Sequence, residues 1–373
     1  MNFRDVVAAV VIATTALTPP AQSVAAPPRA GEPFHVVPLG DSVYAIIRDE
    51  PLAFAVHANN LVIVCDSDVV VVDSDFTRAA ATEVIAAIRR ITPKPVRYLV
   101  NTHWHDDHVM GNQAYEDAFP GIQFIAHAAT KDGLLHDAVE NRKQQLAGAP
   151  QALEYFRNTL RDGKSLAGGA LGAEERAAWE STIAIVEQYL REAPTARPMV
   201  PSITFDDQFT LRRGSRTIEI RFLGLGNTKG DAIVYLPKER IVASGDLVVA
   251  PIPFTFNANI GPWIGALDRL RALQATTLVP GHGPVMHDDA YVRQVQRLLG
   301  TIAKQADDAV ARGDSLAAAR KAIDLTEMRQ AFAGDSQLLR ILFGSFVSGP
   351  AVTQAFNEAT ARRSAAARPA PRR

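Results

Sequence analysis

The chain has 373 residues, enough for one large domain with additions or for two domains. Its composition, 47% hydrophobic and 21% charged, is that of an ordinary globular protein. A formal net charge of −1 gives no global basic field, which speaks against a nucleic-acid partner.

The N-terminus reads as a secretory signal. Val6 to Leu17 is apolar and rich in Ala and Val, and Arg4 is the only early cation besides the amino group. Ser23-Val24-Ala25 offers small residues at the cleavage positions, with Ala26 following. The apolar run is too short for a spanning helix. Asp5 weakens the positive start, and the alternative is an uncleaved anchor. No other stretch is apolar enough to cross a membrane. Residues 1–25 are therefore expected to be a signal peptide, residues 26–34 a Pro/Ala/Gly-rich linker, and the protein periplasmic or secreted. Export permits disulfides, but the single cysteine, Cys65, allows no internal one. It ends the apolar run Leu61-Val62-Ile63-Val64-Cys65 and reads as a buried structural thiol.

From His35 the pattern is β. Val43 to Ile47 is one candidate strand. Leu61–Cys65 and Val69–Val72 flank Asp66-Ser67-Asp68 and read as a hairpin. His57, before the hairpin, belongs to no motif and reads as structural or surface. Thr77 can cap a helix whose apolar face is Ala81, Val84, Ile85 and Ile88, and Pro93 and Pro95 end it. Val96 to Val100 is then a buried strand.

That strand delivers Asn101-Thr102-His103-Trp104-His105-Asp106-Asp107-His108. In extended chain, side chains at alternate positions share a side, which groups His103, His105 and Asp107. His108 points elsewhere unless the loop turns, so one loop can serve two neighbouring cations. Imidazole nitrogens and carboxylate oxygens suit zinc, and also iron or manganese. A chance cluster of histidines is a poor account of this density.

Gln123 to Ala126 is a short strand ending at His127, which reads either as a strand-end cap or as a second-shell or substrate-facing group. His136, on a helix, has a weaker claim. Residues 137–196 read as helical, with breaks near 147–150 and 167–173. Trp179, Ile183, Val186 and Leu190 form one stripe. The stripe fits packing on a larger body; the position between chemically rich segments fits a lid or pocket wall. The segment has no histidine and is expected to shape substrate access and not metal binding.

Thr217 to Phe222 alternates as a half-buried strand. Gly224-Leu225-Gly226-Asn227-Thr228-Lys229-Gly230-Asp231 follows, but its spacing and the ensuing strand, Ala232 to Leu236, rule out a dinucleotide fingerprint. Ile241 to Asp246 ends in an aspartate that alone reads as a turn residue. Trp263, Leu267, Leu270 and Leu273 give a helical face. Gly281-His282-Gly283 sets a histidine between glycines that permit sharp turns. His287 reads as surface. From Asp288 the chain reads helical to about 356, and the Ala/Arg/Pro-rich tail from Ala361 reads as disordered.

His103-x-His105-x-Asp107-His108 resembles the signature of the metallo-β-lactamase-fold hydrolases. The resemblance covers roughly 35–287. It implies an α/β fold, a four-layer αββα sandwich with metals at one edge, here as a domain over 35–290 with the helical insertion at 137–196 and C-terminal helices over 291–360. Carried over, it implies one metal on His103, His105 and bridging Asp246, and a second on Asp107, His108, Asp246 and His282, with zinc, up to two ions, as cofactor and iron or manganese as alternatives. The Asp246 pattern is similar to the glyoxalase-II-like branch. Asn227 stands where the family's Gly-His-Thr-x-Gly-Asp segment has histidine, and so reads as a weak ligand or substrate contact, with His127 a guess for the missing imidazole. The implied function is an exported hydrolase of a small-molecule ester, lactone, lactam or thioester, using a metal-bound hydroxide oriented by Asp107. The implied partners exclude nucleic acid and, once the signal is removed, membrane. The alternative is a degenerate binding protein that kept the fold and lost turnover through Asn227. Nothing in the sequence reads out the oligomeric state.

Overall fold

The computed structural model describes residues 32–197 and 199–366. The expected signal peptide, most of the expected linker and the last seven residues lie outside them. Two β-sheets face each other, and helices cover their outer faces.

The first sheet has seven strands in chain order: β1 (Phe34–Gly40), β2 (Val43–Arg48), β3 (Asn60–Val64), β4 (Val69–Val72), β5 (Val96–Val100), β6 (Gln123–His127) and β7 (Ile203–Phe205). Pairing is antiparallel as far as β4 and parallel from there on. The second sheet runs β12-β11-β10-β9-β8, with β8 (Gln208–Arg213), β9 (Arg216–Phe222), β10 (Ala232–Leu236), β11 (Ile241–Val249) and β12 (Thr277–His282).

The period-2 alternation of strand side chains sets the layers. Ala45, Ile47, Leu61, Ile63, Val70 and Val72 face Ile218, Ile220, Val234 and Ala243 between the sheets. Their neighbours Tyr44, Ile46, Val62 and Val71 turn the other way, onto Val84, Ile85 and Ile88 of α1 (Arg78–Ile91) and Tyr115 of α3 (Asn112–Ala118). Thr77 Oγ1 accepts from Ala80 N and caps α1. On the second sheet, Ile233, Tyr235 and Val242 pack outward onto α7 (Ile260–Ala272) and α8 (Ala290–Arg312). The order of layers is αββα.

α2 (Asp106–Val109) is a single turn at the end of β5, and α4 (Ala128–Leu135) leads into the 137–196 segment. There the expected break near 147–150 is absent: α5 (Asp137–Asp162) runs through Gly148 and Pro150. Ala149, Leu153 and Phe156 keep one buried face across the proline, and tertiary packing overrides its local penalty. The break comes at Gly163, in a left-handed conformation, before α6 (Ala173–Glu192). The buried stripe of α6 also differs from expectation. It is Glu175, Ala178, Trp179, Thr182, Ile185 and Tyr189, while Ile183, Val186 and Leu190 are half-buried. Hydrophobicity misplaced the stripe because the buried face includes a charged residue with internal work, Glu175 accepting from Trp179 Nε1 and Leu166 N.

The C-terminal helices are α9 (Leu316–Ala322), α10 (Thr326–Ala333), α11 (Gln337–Phe343), a π-helical turn at Gly344–Ser348, and α12 (Pro350–Ala366). They share one apolar core with α7, α8 and the outer face of the second sheet. The tail expected to be disordered from Ala361 is helical through Ala366. Ala and Arg are strong helix formers, and Ala359 of the same helix is buried. No helix among the described residues is long and apolar enough to cross a membrane.

Candidate metal centre

Five segments at one edge of the sandwich bring the chemistry together: the loops after β4, β5 and β9, the strand β11 and the end of β12. The chain after β5 does turn. His105 precedes α2, whose single helical turn swings His108 back beside His103, with ring centroids 4.2 Å apart.

The expected ligand residues form two groups. His103, His105 and Asp246 have ligand atoms within 4.8 Å of one another, and so do Asp107, His108 and His282. Asp246 lies between the groups: Oδ2 is 3.6 Å from His103 Nε2, and Oδ1 is 3.1 Å from His108 Nε2. Asp107 Oδ2 is 3.0 Å from His282 Nε2.

Each imidazole is held by its outer nitrogen. His108 Nδ1 donates to Asp73 Oδ2 at 2.8 Å, and His282 Nδ1 to the His57 carbonyl at 3.1 Å. His103 Nδ1 is 3.0 Å from Thr102 Oγ1, whose own hydrogen goes to Asp73. His105 Nε2 is 3.0 Å from Asn257 Oδ1. These acceptors fix the tautomers and leave the inner nitrogens bare. His103 Nε2 then faces His105 Nδ1 at 2.9 Å, and His108 Nε2 faces His282 Nε2 at 3.3 Å. Bare lone pairs at that separation repel unless a cation lies among them. The buried Asp246 Oδ1 also accepts no hydrogen bond. The donor set therefore fits metal ions.

The titration pattern agrees. Burial holds His103 well below the usual imidazole range and lowers His105. Burial opposes charge on His108 and His282 too, but Asp246 and the neighbouring aspartates outweigh it and raise both. Partial burial opposes charge on Asp107, yet His108 and His282 hold it well below the usual carboxylate range. The site is a strongly anionic pocket that attracts positive charge.

Asn227 is fully buried at the site, beside Asp246. Its Nδ2 donates to Asp246 Oδ2 at 3.2 Å and its Oδ1 has no hydrogen-bond partner among the described residues. It holds the shared carboxylate. His127 is elsewhere: Nε2 donates to the Asp206 carbonyl at 2.7 Å, Nδ1 accepts from Ala129 N, and the ring stacks on Phe222. Nδ1 caps α4 and Nε2 is spent on the Asp206 carbonyl, so it does not supply the missing imidazole. His136 and His287 are exposed.

Residues the sequence reading passed over complete the frame. Asp73, with φ of 59°, also accepts from Thr102 N at 2.8 Å. Gly281 is required by space and not by an unusual turn: a Cβ there would lie 2.0 Å from Asp246 Oδ1. Asp106 is gripped from the insertion by Arg142, at 2.6 and 3.1 Å, and by Tyr189 Oη at 2.8 Å. The insertion supplies none of the grouped ligand atoms. It nevertheless braces the loop between His105 and Asp107, a role that the absence of histidine concealed.

Residues 54–282, more than half of the chain, match the profile of the metallo-β-lactamase superfamily. The chain belongs to the metallo-β-lactamase superfamily. Homologues in that superfamily are metal-dependent hydrolases. This superfamily member is 26% identical over 237 residues to a linear primary-alkylsulfatase of Pseudomonas sp. (strain ATCC 19151). The match covers 61% of this chain and spans only 42% of that relative's length. A metallo-β-lactamase from Pontibacter korlensis matches in structure with a TM-score of 0.48 and 21% identity, over 72% of this chain and 99% of that one. The DIM-1 metallo-β-lactamase gives 0.48 and 18%, over 72% and 98%.

Proposed function

We propose that the protein is an exported, metal-dependent hydrolase of a small molecule, cleaving an ester-type bond. Lactones, lactams and thioesters belong to the same chemical range, and the name of the alkylsulfatase relative adds sulfate esters to it. The observation that carries the reading is the pair of ligand groups sharing Asp246 at the end of a cavity.

His103, His105 and Asp246 would hold one cation, and Asp107, His108 and His282 with Asp246 the other. Zinc is the first expectation for this donor set, with iron or manganese as alternatives. Bound there, the cations would lower the pKa of water and polarise the bond to be cleaved. The protein's own part is orientation. Asp107, half-buried at the cavity, is the carboxylate placed to accept a hydrogen from the attacking water. Asp73, Thr102, Asn257 and the His57 carbonyl keep the four imidazoles aimed inward, so little reorganisation is needed on reaction. Phenylalanines around the cavity limit competing water.

The competing reading, a protein that kept the fold and lost turnover, draws on Asn227. It is weakened because both ligand groups are complete without that residue. Metal analysis together with turnover of a generic ester and a chromogenic cephalosporin decides between them. Metal content with ester turnover supports the hydrolase; metal content with no turnover of any substrate supports the binding protein.

A further inference from the structure

We propose that the uncleaved part of the substrate is a bulky apolar group without fixed charge, seated on a phenylalanine wall that the C-terminal π-turn completes. This rests on the hydrolase reading above and names its substrate class.

The cavity has a volume of about 500 Å³, in the usual range of small-molecule sites. His105, Asp107, Asp246 and His282 lie at one end. The rest of the lining is Phe54, Phe76, Phe254, Phe256 and Phe346 with aliphatic neighbours, Phe254 meeting the His105 ring at 5.6 Å, and the polar groups are the uncharged amides Asn141, Gln144, Gln145 and Asn257, the last engaged by His105. Among the described residues, no lysine or arginine lines it. The remaining acid, Asp106, is occupied by Arg142 and Tyr189.

The wall is one aromatic assembly. Phe346, on the Gly344–Ser348 turn, meets Phe54 edge-on at 5.5 Å and Phe254 at 5.4 Å. Phe54 in turn stacks on Trp179 of α6 at 5.3 Å. Phe256 extends the wall to the opening, where it is 46% exposed. Thr255 Oγ1 donates to the Phe346 carbonyl and ties the β11–α7 loop to the turn. π-Helical turns gather at functional sites, and this one lies beyond the residues that match the family profile.

An apolar arm on this surface gains burial with each methylene. A carboxylate on the same arm would lose hydration with no cation to replace it. The pocket therefore disfavours substrates carrying an anion remote from the scissile bond. An anionic scissile group is a different case, because it lies at the ligand end.

The test uses the metal-loaded full chain and p-nitrophenyl esters of acetate, octanoate and octanedioate, the last with a free terminal carboxylate. The expected kcat/KM rises at least about tenfold from acetate to octanoate and falls at least about tenfold from octanoate to the carboxylate-ended ester. Phe256→Lys should raise the carboxylate-ended ester and lower the octanoate. A second readout needs no catalysis: decanol should raise the thermal midpoint, and decanedioate, which cannot keep both carboxylates at the ligand end, should not. Equal kcat/KM across the three esters without a decanol shift overturns the inference and leaves the hydrolase reading standing. The expected decanol pattern with no turnover of these esters, nor of a lactone, a lactam, a thioester or an alkyl sulfate, supports this pocket and overturns the hydrolase reading.

Discussion

Asp73→Asn tests how the centre is held without touching a ligand. Asp73 is 2% exposed. One of its oxygens accepts from Thr102 N, and the other from Thr102 Oγ1 and His108 Nδ1, all at 2.8 Å. Asparagine has the same shape and tolerates the left-handed backbone at φ 59°, so the change alters charge and hydrogen bonding and little else. It cannot satisfy both sides. With its NH2 towards Thr102 N it meets one donor, and flipped it meets His108 Nδ1. Leaving one buried donor unpaired costs about 1–3 kcal/mol of stability. Loss of an outer-shell carboxylate costs roughly 10–100-fold in metal affinity, or about 1.4–2.7 kcal/mol. The assay is competition between metal-free protein and a chromophoric chelator, with thermal melts of the metal-free form alongside. Unchanged affinity and an unchanged melt would refute the claim that Asp73 aims His108.

Arg142→Ala and Tyr189→Phe should each weaken metal binding several-fold although neither residue is a ligand, because Asp106 loses part of its grip; equal chelator competition in wild type and both variants would refute this bracing. Asn227 puts an uncharged amide on Asp246 where the family segment has an imidazole, so the His103 and His105 site should bind metal more weakly than the other and Asn227→His should tighten it, as seen by titration with zinc, iron and manganese; two equally tight sites unmoved by the change would refute this. Cys65 is buried and its thiol is pushed up to about 11, chiefly by burial, so a thiol reagent at pH 8 should react only as the chain unfolds; rapid labelling of the folded protein would contradict that. Protein recovered after export should begin near Ala26; recovery only from the cytoplasm with Met1 retained would refute the signal.

Much of the fold was legible because its strands are short β-branched apolar runs bounded by turn residues, buried on both faces. Val62 between Leu61 and Ile63 is the pattern in miniature: one side chain meets α1, its neighbours the other sheet. The edge strand β7 and the strand β8 were not read, since three residues or a half-exposed run carry little signal. The four candidate ligands after β5 stood out by their density on one loop, whereas Asp246 and His282 were named only through the family resemblance; the structure brings all six together. Their frame was not legible. Asp73 and Asn257 are single polar residues whose role exists only once distant loops meet. Asn227 was noticed, but its amide turns out to hold Asp246. Arg142 and Tyr189 looked like ordinary helix residues, because their partner is supplied by another element.

The central claim is metal-dependent hydrolysis at the shared-carboxylate centre. The most direct measurement is ester turnover by metal-stripped protein during stepwise addition of zinc, iron or manganese, in wild type and in Asp246→Ala. The account predicts no turnover without metal, recovery that saturates as the sites fill, and no recovery in Asp246→Ala. Full turnover by the stripped protein, or equal recovery in the variant, would contradict it.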